Sequence, residues 1–216
     1  MEMIALENRP YEVKELLSLG YSRMKLSRLV REGRLQNDGR GIYRLPFDGR
    51  NSDRASWAAR SLAIPGSVFC LYSAAVFHGI SEDLGARSYV GVKSRFHNSN
   101  QGVEFLAWKD TASFEAGVET IRVGDIDVLV TGPARTLVDF FRYSHLGKKD
   151  GRMKKLVDPA ALNDVVLRYL EKFGKPDLQA HRIAKVFGVQ EALKNYMGIL
   201  QAARPDLWAS PAPKVS

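Results

Sequence analysis

The sequence predicts an α+β fold, and three observations carry that prediction. Apolar residues recur at helical spacing in the first and last parts of the chain, strand-like runs are concentrated in its middle, and glycine-rich turns separate the two patterns. The 216 residues suit one large or two small domains, and 45% hydrophobic with 26% charged residues is ordinary for a chain that buries a core. The formal net charge of +8 favours an anionic partner, nucleic acid first among them. A basic chain that is merely soluble remains the other reading of charge alone.

The first elements lie in residues 1–46. Residues 11–20 place Val13, Leu16 and Leu17 at helical spacing and end in Gly20, a natural left-handed cap. Ser22 then offers an N-cap for a second helix over residues 23–32, whose Leu26, Leu29 and Val30 share one face. At 100° per residue Met24, Ser27, Arg28 and Arg31 fall on the other face, with Lys25 flanking it. Leu35-Gln36 and Ile42-Tyr43-Arg44-Leu45 read as two short strands around the turn Asn37-Asp38-Gly39-Arg40-Gly41. Two helices, a tight turn and a following hairpin make the pattern of a winged helix-turn-helix.

Charge gathers on these elements. Between Tyr21 and Leu45 there are seven basic residues against two acidic ones, a local excess of +5. In such a fold the second helix enters the major groove and its outward N-terminal residues reach base edges. Lys25, Ser27 and Arg28 fit that role, since Arg and Lys pair with guanine acceptors and Ser is adaptable. Arg31 and Arg34 suit phosphates, Arg40 at the wing tip suits phosphate or minor groove, and Ser22, Arg23 and Arg44 complete the candidate set. A solvated basic helix that binds nothing, or a winged helix used for protein contact, is the competing interpretation.

Residues 47–53 are polar and turn-forming, as at a domain boundary. A mixed α/β middle domain is expected over residues 54–147. In it Ser73-Ala74-Ala75-Val76-Phe77-His78 reads as a short helix stopped by Gly79, and strands are expected at 89–92, 103–108, 119–123 and 126–130. Gly124-Asp125 is the turn of a hairpin, and Pro133 opens a helix with Leu137, Phe140 and Phe141 on its apolar face. A helical region follows over residues 156–204. There Asp158 caps, Pro159 takes the first position, and Leu162, Val165, Val166, Tyr169 and Leu170 recur at helical spacing. Two further helices are expected within 177–187 and 190–203, then a disordered tail over 205–216.

Three patches in order resemble the AbiEi family of antitoxins. The first runs from Leu19-Gly20-Tyr21-Ser22-Arg23 through Leu29-Val30-Arg31-Glu32-Gly33-Arg34-Leu35 to Gly39-Arg40-Gly41-Ile42-Tyr43-Arg44-Leu45-Pro46. The others are Tyr72-Ser73-Ala74-Ala75-Val76-Phe77-His78-Gly79-Ile80 and Thr131-Gly132-Pro133-Ala134-Arg135-Thr136-Leu137-Val138-Asp139. The resemblance implies a repressor of its own toxin–antitoxin operon, usually on inverted repeats, that also opposes a nucleotidyltransferase toxin of the AbiEii kind without needing a stable complex. It places antitoxicity in the region after the winged helix. Only Met1–Pro10 stand ahead of Tyr11, where the family has a full helix. The expectation is a very short first helix, a start placed too late in the sequence, or a core completed by a neighbouring segment.

Enzymatic readings find little footing. Cys70, the single cysteine, allows no internal disulfide and reads as a buried reduced thiol. His78, His97, His145 and His181 lack metal-ligand spacing, and no phosphate-binding or dinucleotide loop is present. Glu104, Asp110, Asp125 and Asp127 do not make the converging set that a metal-dependent nuclease needs. The expectation is a non-enzyme with no cofactor or metal. Arg135 and Asp139 read as an i,i+4 ion pair, with a functional Arg135 as the alternative. Lys148, Lys149, Arg152, Lys154 and Lys155 read as a solvated loop or as a second nucleic-acid contact. With no secretory leader and no apolar run of membrane length, a cytoplasmic protein is expected.

Overall fold

Tyr21, Leu26, Leu29 and Leu35 are apolar or aromatic residues that need a shared interior, and they have one. The computed structural model describes residues 6–7, 9–46, 52–82, 87–93, 103–123, 125–146 and 156–209. The chain divides into two units, Met1–Ser67 with Thr120–Leu129, and Val68–Glu119 with Val130–Ser216. Helices and two sheets make up an α+β chain.

In the first unit the order is β1 (Tyr11–Glu12), α1 (Val13–Ser18), α2 (Arg23–Arg31), β2 (Gln36–Gly39), β3 (Ile42–Arg44) and α3 (Ser52–Ala63). The expected helix start at Tyr11 is corrected. Tyr11 and Glu12 pair antiparallel with Tyr43 and Ile42, so the helix begins only at Val13. The three strands lie in the order β1-β3-β2. Gly20 takes φ +87°, which lets its N–H reach the Leu17 carbonyl and the Tyr21 N–H reach that of Leu16, closing α1 in a tight turn. Ser22 then caps α2, its Oγ accepting from the Lys25 N–H at 3.2 Å.

The core of this unit joins Tyr11, Leu16, Tyr21, Leu26, Leu29 and Leu35, with Leu6, Val13, Val30 and Tyr43 packed against it. Ahead of α1, therefore, Leu6 and Tyr11 supply apolar surface from a loop and a strand. Arg9 stacks over the Tyr11 ring at 3.9 Å and pairs with Glu15, which raises its pKa above the ordinary arginine value. α3 packs on β2 and β3, so the unit includes a helix beyond the 1–46 segment.

The second sheet has the order β6-β5-β4-β8-β7. Its strands are β4 (Val68–Phe69), β5 (Ser88–Val92), β6 (Val103–Ala107), β7 (Val118–Val123) and β8 (Ile126–Thr131). β4 pairs antiparallel with β5, and β5 pairs parallel with β6. The four longer strands fall where alternation places them; Gly124, the expected turn glycine, lies outside the described residues. Between and after them come α4 (Leu71–Phe77), α5 (Ala112–Glu115), α6 (Pro133–Arg142), α7 (Pro159–Phe173), α8 (Leu178–Val186), α9 (Gln190–Ala203) and α10 (Asp206–Ala209). Asp158 and Asp177 cap α7 and α8 through the N–H groups of Ala161 and Ala180, each at 2.8 Å. All five apolar residues predicted for the inner face of α7 are buried. α10 falls in the segment expected to be a disordered tail, a difference from the sequence reading; residues 210–216 lie outside the described residues.

α6 is buried on every side from Ala134 to Phe141, beyond the single apolar face expected, because α4, α7, α8 and α9 all pack on it. Its polar residues must then find partners inside. The Arg135 Nε donates to Asp139 Oδ1 at 2.9 Å with both side chains fully buried. The remaining guanidinium nitrogens donate to the carbonyls of Ala116 at 2.6 Å and Ser113 at 3.4 Å. Phe187 and Trp108 lie against the same cation, at 4.2 and 5.1 Å. The ion pair expected from spacing is present.

Candidate nucleic-acid interface

The amphipathic pattern of α2 decides which side chains face out. Leu26 and Leu29 are buried in the core, while Arg23, Met24, Ser27, Arg28 and Arg31 are exposed and Lys25 is half-buried. Arg34 is exposed just beyond the helix. The outward surface of α2 and its C-terminal turn thus holds five cations against one acid, Glu32. Arg28 and Arg34 both approach that acid, at 3.5 and 3.7 Å. Exposed pairs of this kind are worth about 0–1 kcal/mol, so a phosphate or a base acceptor can displace Glu32 at little cost. Lys25 lies over the Tyr21 ring with its Nζ 5.0 Å from the centroid.

The hairpin is tighter than the sequence suggested. β2 continues through Asn37 to Gly39, and a register shift between Asn37 and Gly39 makes room for Asp38. The Gly39 N–H donates to Asn37 Oδ1 at 2.8 Å, and the tip runs through Gly39, Arg40 and Gly41, all at positive φ. The turn therefore depends on residues that tolerate the left-handed region.

One of the expected contacts, Arg44, is placed elsewhere. Arg44 is only 7% exposed, and its Nε donates to Asp38 Oδ2 at 2.6 Å. This corrects its assignment as a contact residue: its guanidinium braces the hairpin from inside. The cause is the period of two along β3, which puts Arg44 on the same side as the buried Ile42. Arg60 of α3 adds a second cation near Asp38, but burial dominates there and holds the Asp38 carboxyl above its ordinary value. Arg40 sits at the tip as expected, yet its guanidinium donates to the Ala63 carbonyl at 3.0 Å. Ser22 has a structural duty as the cap of α2.

The structure thus gathers Arg23, Lys25, Ser27, Arg28, Arg31 and Arg34 on one helix and its exit turn, holds Arg44 within the hairpin's own framework, and leaves Arg40 exposed at the tip with a bond to the end of α3. Lys148, Lys149, Arg152, Lys154 and Lys155 lie outside the described residues, as does His97. Met24, which the angular count put on the outer face without giving it a role, is the residue that sequence reasoning passed over.

The acids considered for metal chemistry have local partners. Arg87 donates to Glu104 at 3.2 Å, and Arg122 donates to Asp127 at 2.6 Å and lies 4.0 Å from Asp125. Asp110 accepts from the Ser113 N–H at 2.8 Å. Among the described residues no three or more His, Cys, Asp or Glu side chains are grouped to hold a metal ion. The ring Nε2 of His78 meets the Thr131 carbonyl at 2.7 Å, and burial lowers its pKa. Cys70 is buried, and burial pushes its thiol well up, away from a nucleophilic thiolate. No helix among the described residues is long and apolar enough to cross a membrane.

Comparison with known proteins bears on this same stretch. No curated protein matches the chain. The matched segment spans α1, α2 and the hairpin, and ends before α3: residues 13–46 match the model of a family described as a transcriptional regulator, the AbiEi antitoxin.

Proposed function

We propose that this chain is a DNA-binding transcriptional repressor, with β1 to β3 acting as a winged helix-turn-helix, α2 as the recognition helix and the β2–β3 hairpin as the wing. One observation carries the reading: the exposed face of α2 is cationic from Arg23 to Arg31, within the segment that matches a transcriptional regulator family. Arg28, Lys25 and Ser27 read base edges, while Arg23, Arg31 and Arg34 hold phosphates. Repression of its own toxin–antitoxin operon, and opposition to a nucleotidyltransferase toxin, extend this reading to the second unit. We take the chain to act without catalysis and without a cofactor, in the cytoplasm.

A gel shift on the DNA upstream of its own gene, run across a salt series, tests the reading. A discrete complex that survives competitor DNA and weakens linearly with log salt is expected. Binding no tighter than to random DNA refutes it. A second reading, a regulator unrelated to any toxin whose second unit senses a ligand or partner, is favoured by one observation: the family match ends at Pro46 and leaves that unit uncovered. A neighbouring nucleotidyltransferase gene whose toxicity this chain suppresses would remove that second reading.

A further inference from the structure

Met24 is 82% exposed, more than any other large apolar side chain among the described residues. It occupies the second position of α2, one turn ahead of Ser27 and Arg28 on the outward face. Its surroundings are cationic. Lys25 is drawn back over the Tyr21 ring at 5.0 Å, and Arg28 forward to Glu32 at 3.5 Å. These two cations thus incline toward opposite ends of the helix, and the Met24 side chain beside them is exposed.

We propose that Met24 determines sequence specificity by packing its thioether against the C5-methyl of a thymine in the major groove. This rests on the reading of α2 as a recognition helix. Phosphates offer nothing to an uncharged thioether. The base edges of the major groove offer donors and acceptors that suit Arg, Lys and Ser, and a single apolar group, the thymine methyl. Residues in the first turn of a recognition helix reach deepest into that groove. A long, unbranched side chain can also adjust to the methyl without moving the helix. The bound half-site therefore carries a thymine next to the bases read by Lys25 and Arg28.

The test uses the full chain and duplexes that it selects from a random-sequence pool. Each thymine of the selected site is replaced in turn by deoxyuridine, which keeps base pairing and removes only the methyl. Affinity is then measured for the natural chain, Met24→Ala and Met24→Leu. One replacement should weaken binding by the natural chain roughly three- to fivefold, the worth of one methyl-sized group taken from water. Met24→Ala should bind the thymine duplex that much more weakly and be indifferent to the replacement, while Met24→Leu should retain the preference. An equal deoxyuridine effect in the natural chain and Met24→Ala, or none in either, overturns the role of Met24 while leaving DNA binding intact. If the pool yields no preferred sequence, the recognition-helix reading itself fails and the proposal with it. Since Met24 is not part of the core, the thermal midpoint of both variants should match that of the natural chain.

Discussion

Removing the carboxylate of Asp139 probes the most demanding interaction in the second unit. In Asp139→Ala the Arg135 guanidinium stays fully buried and keeps the Ala116 and Ser113 carbonyls, but it loses the carboxylate paired with it. Breaking a buried pair from one side costs about 3–5 kcal/mol, because the remaining charge is stranded. Part of that is offset here, since Asp139 Oδ2 is itself buried without a hydrogen-bond partner and its removal relieves an unsatisfied acceptor. The expected net loss is about 2–4 kcal/mol, a large share of the roughly 5–15 kcal/mol that holds an ordinary domain together. Urea unfolding at pH 7 followed by tryptophan fluorescence measures it, with Trp108 reporting from 5.1 Å away. Replacing both partners, Arg135→Met with Asp139→Leu, should recover most of the loss. A single variant within about 1 kcal/mol of the natural chain, or a double variant as unstable as the single one, would refute the reasoning. At a temperature where Asp139→Ala is folded, its DNA affinity should be unchanged; a loss there would favour a functional Arg135.

Other outcomes follow from the first unit and from His78. Arg28→Ala should weaken binding to a selected site by about 1–3 kcal/mol more than binding to random DNA, and equal losses on both would remove its base-reading role. Arg31→Ala should lower the slope of log affinity against log salt by about 0.9, the share of one phosphate contact, whereas Arg44→Ala should leave the slope unchanged and lower the thermal midpoint instead. Ser22→Ala should destabilise the first unit by about 1 kcal/mol through loss of the α2 cap, read from its urea midpoint. Burial holds the His78 imidazole below its ordinary value of 6.5, so the unfolded chain takes up a proton before the folded one as pH falls. Stability should therefore be full above that value and decline as pH falls through the window just beneath it. His78→Gln, which keeps a donor toward the Thr131 carbonyl, should flatten that decline in thermal melts between pH 7 and 5.

Features governed by neighbours in sequence were legible before any coordinates. The caps at Ser22 and Asp158 depend on a side-chain oxygen reaching an N–H three residues on, and the buried stripe of α7 depends only on helical period. What escaped depends on distant parts of the chain. β1 exists because Tyr11 and Glu12 meet β3, and no propensity of two residues announces that. α3 opens with small and polar residues that read as a linker, yet Ala58 and Ala59 are fully buried. The exposure of the α2 side chains from Arg23 to Arg31 was legible because it follows the helical angle. Arg44 was misread, because charge was weighed ahead of strand alternation. Ile42 held the signal that would have corrected it, since the residue two positions on must share its face.

The hairpin described above is tied at both ends of its charge pattern: Arg44 to Asp38 at its base, and Arg40 to the end of α3 at its tip. Many nucleic-acid-binding arms order only on contact, and each freed side chain that must be immobilised then subtracts about 0.5–1.5 kcal/mol from affinity. A hairpin fixed in advance has little of that freedom left to lose. Its geometry would be the same in the free chain as in a complex, so binding here should resemble the docking of a rigid surface more than the folding of a loop.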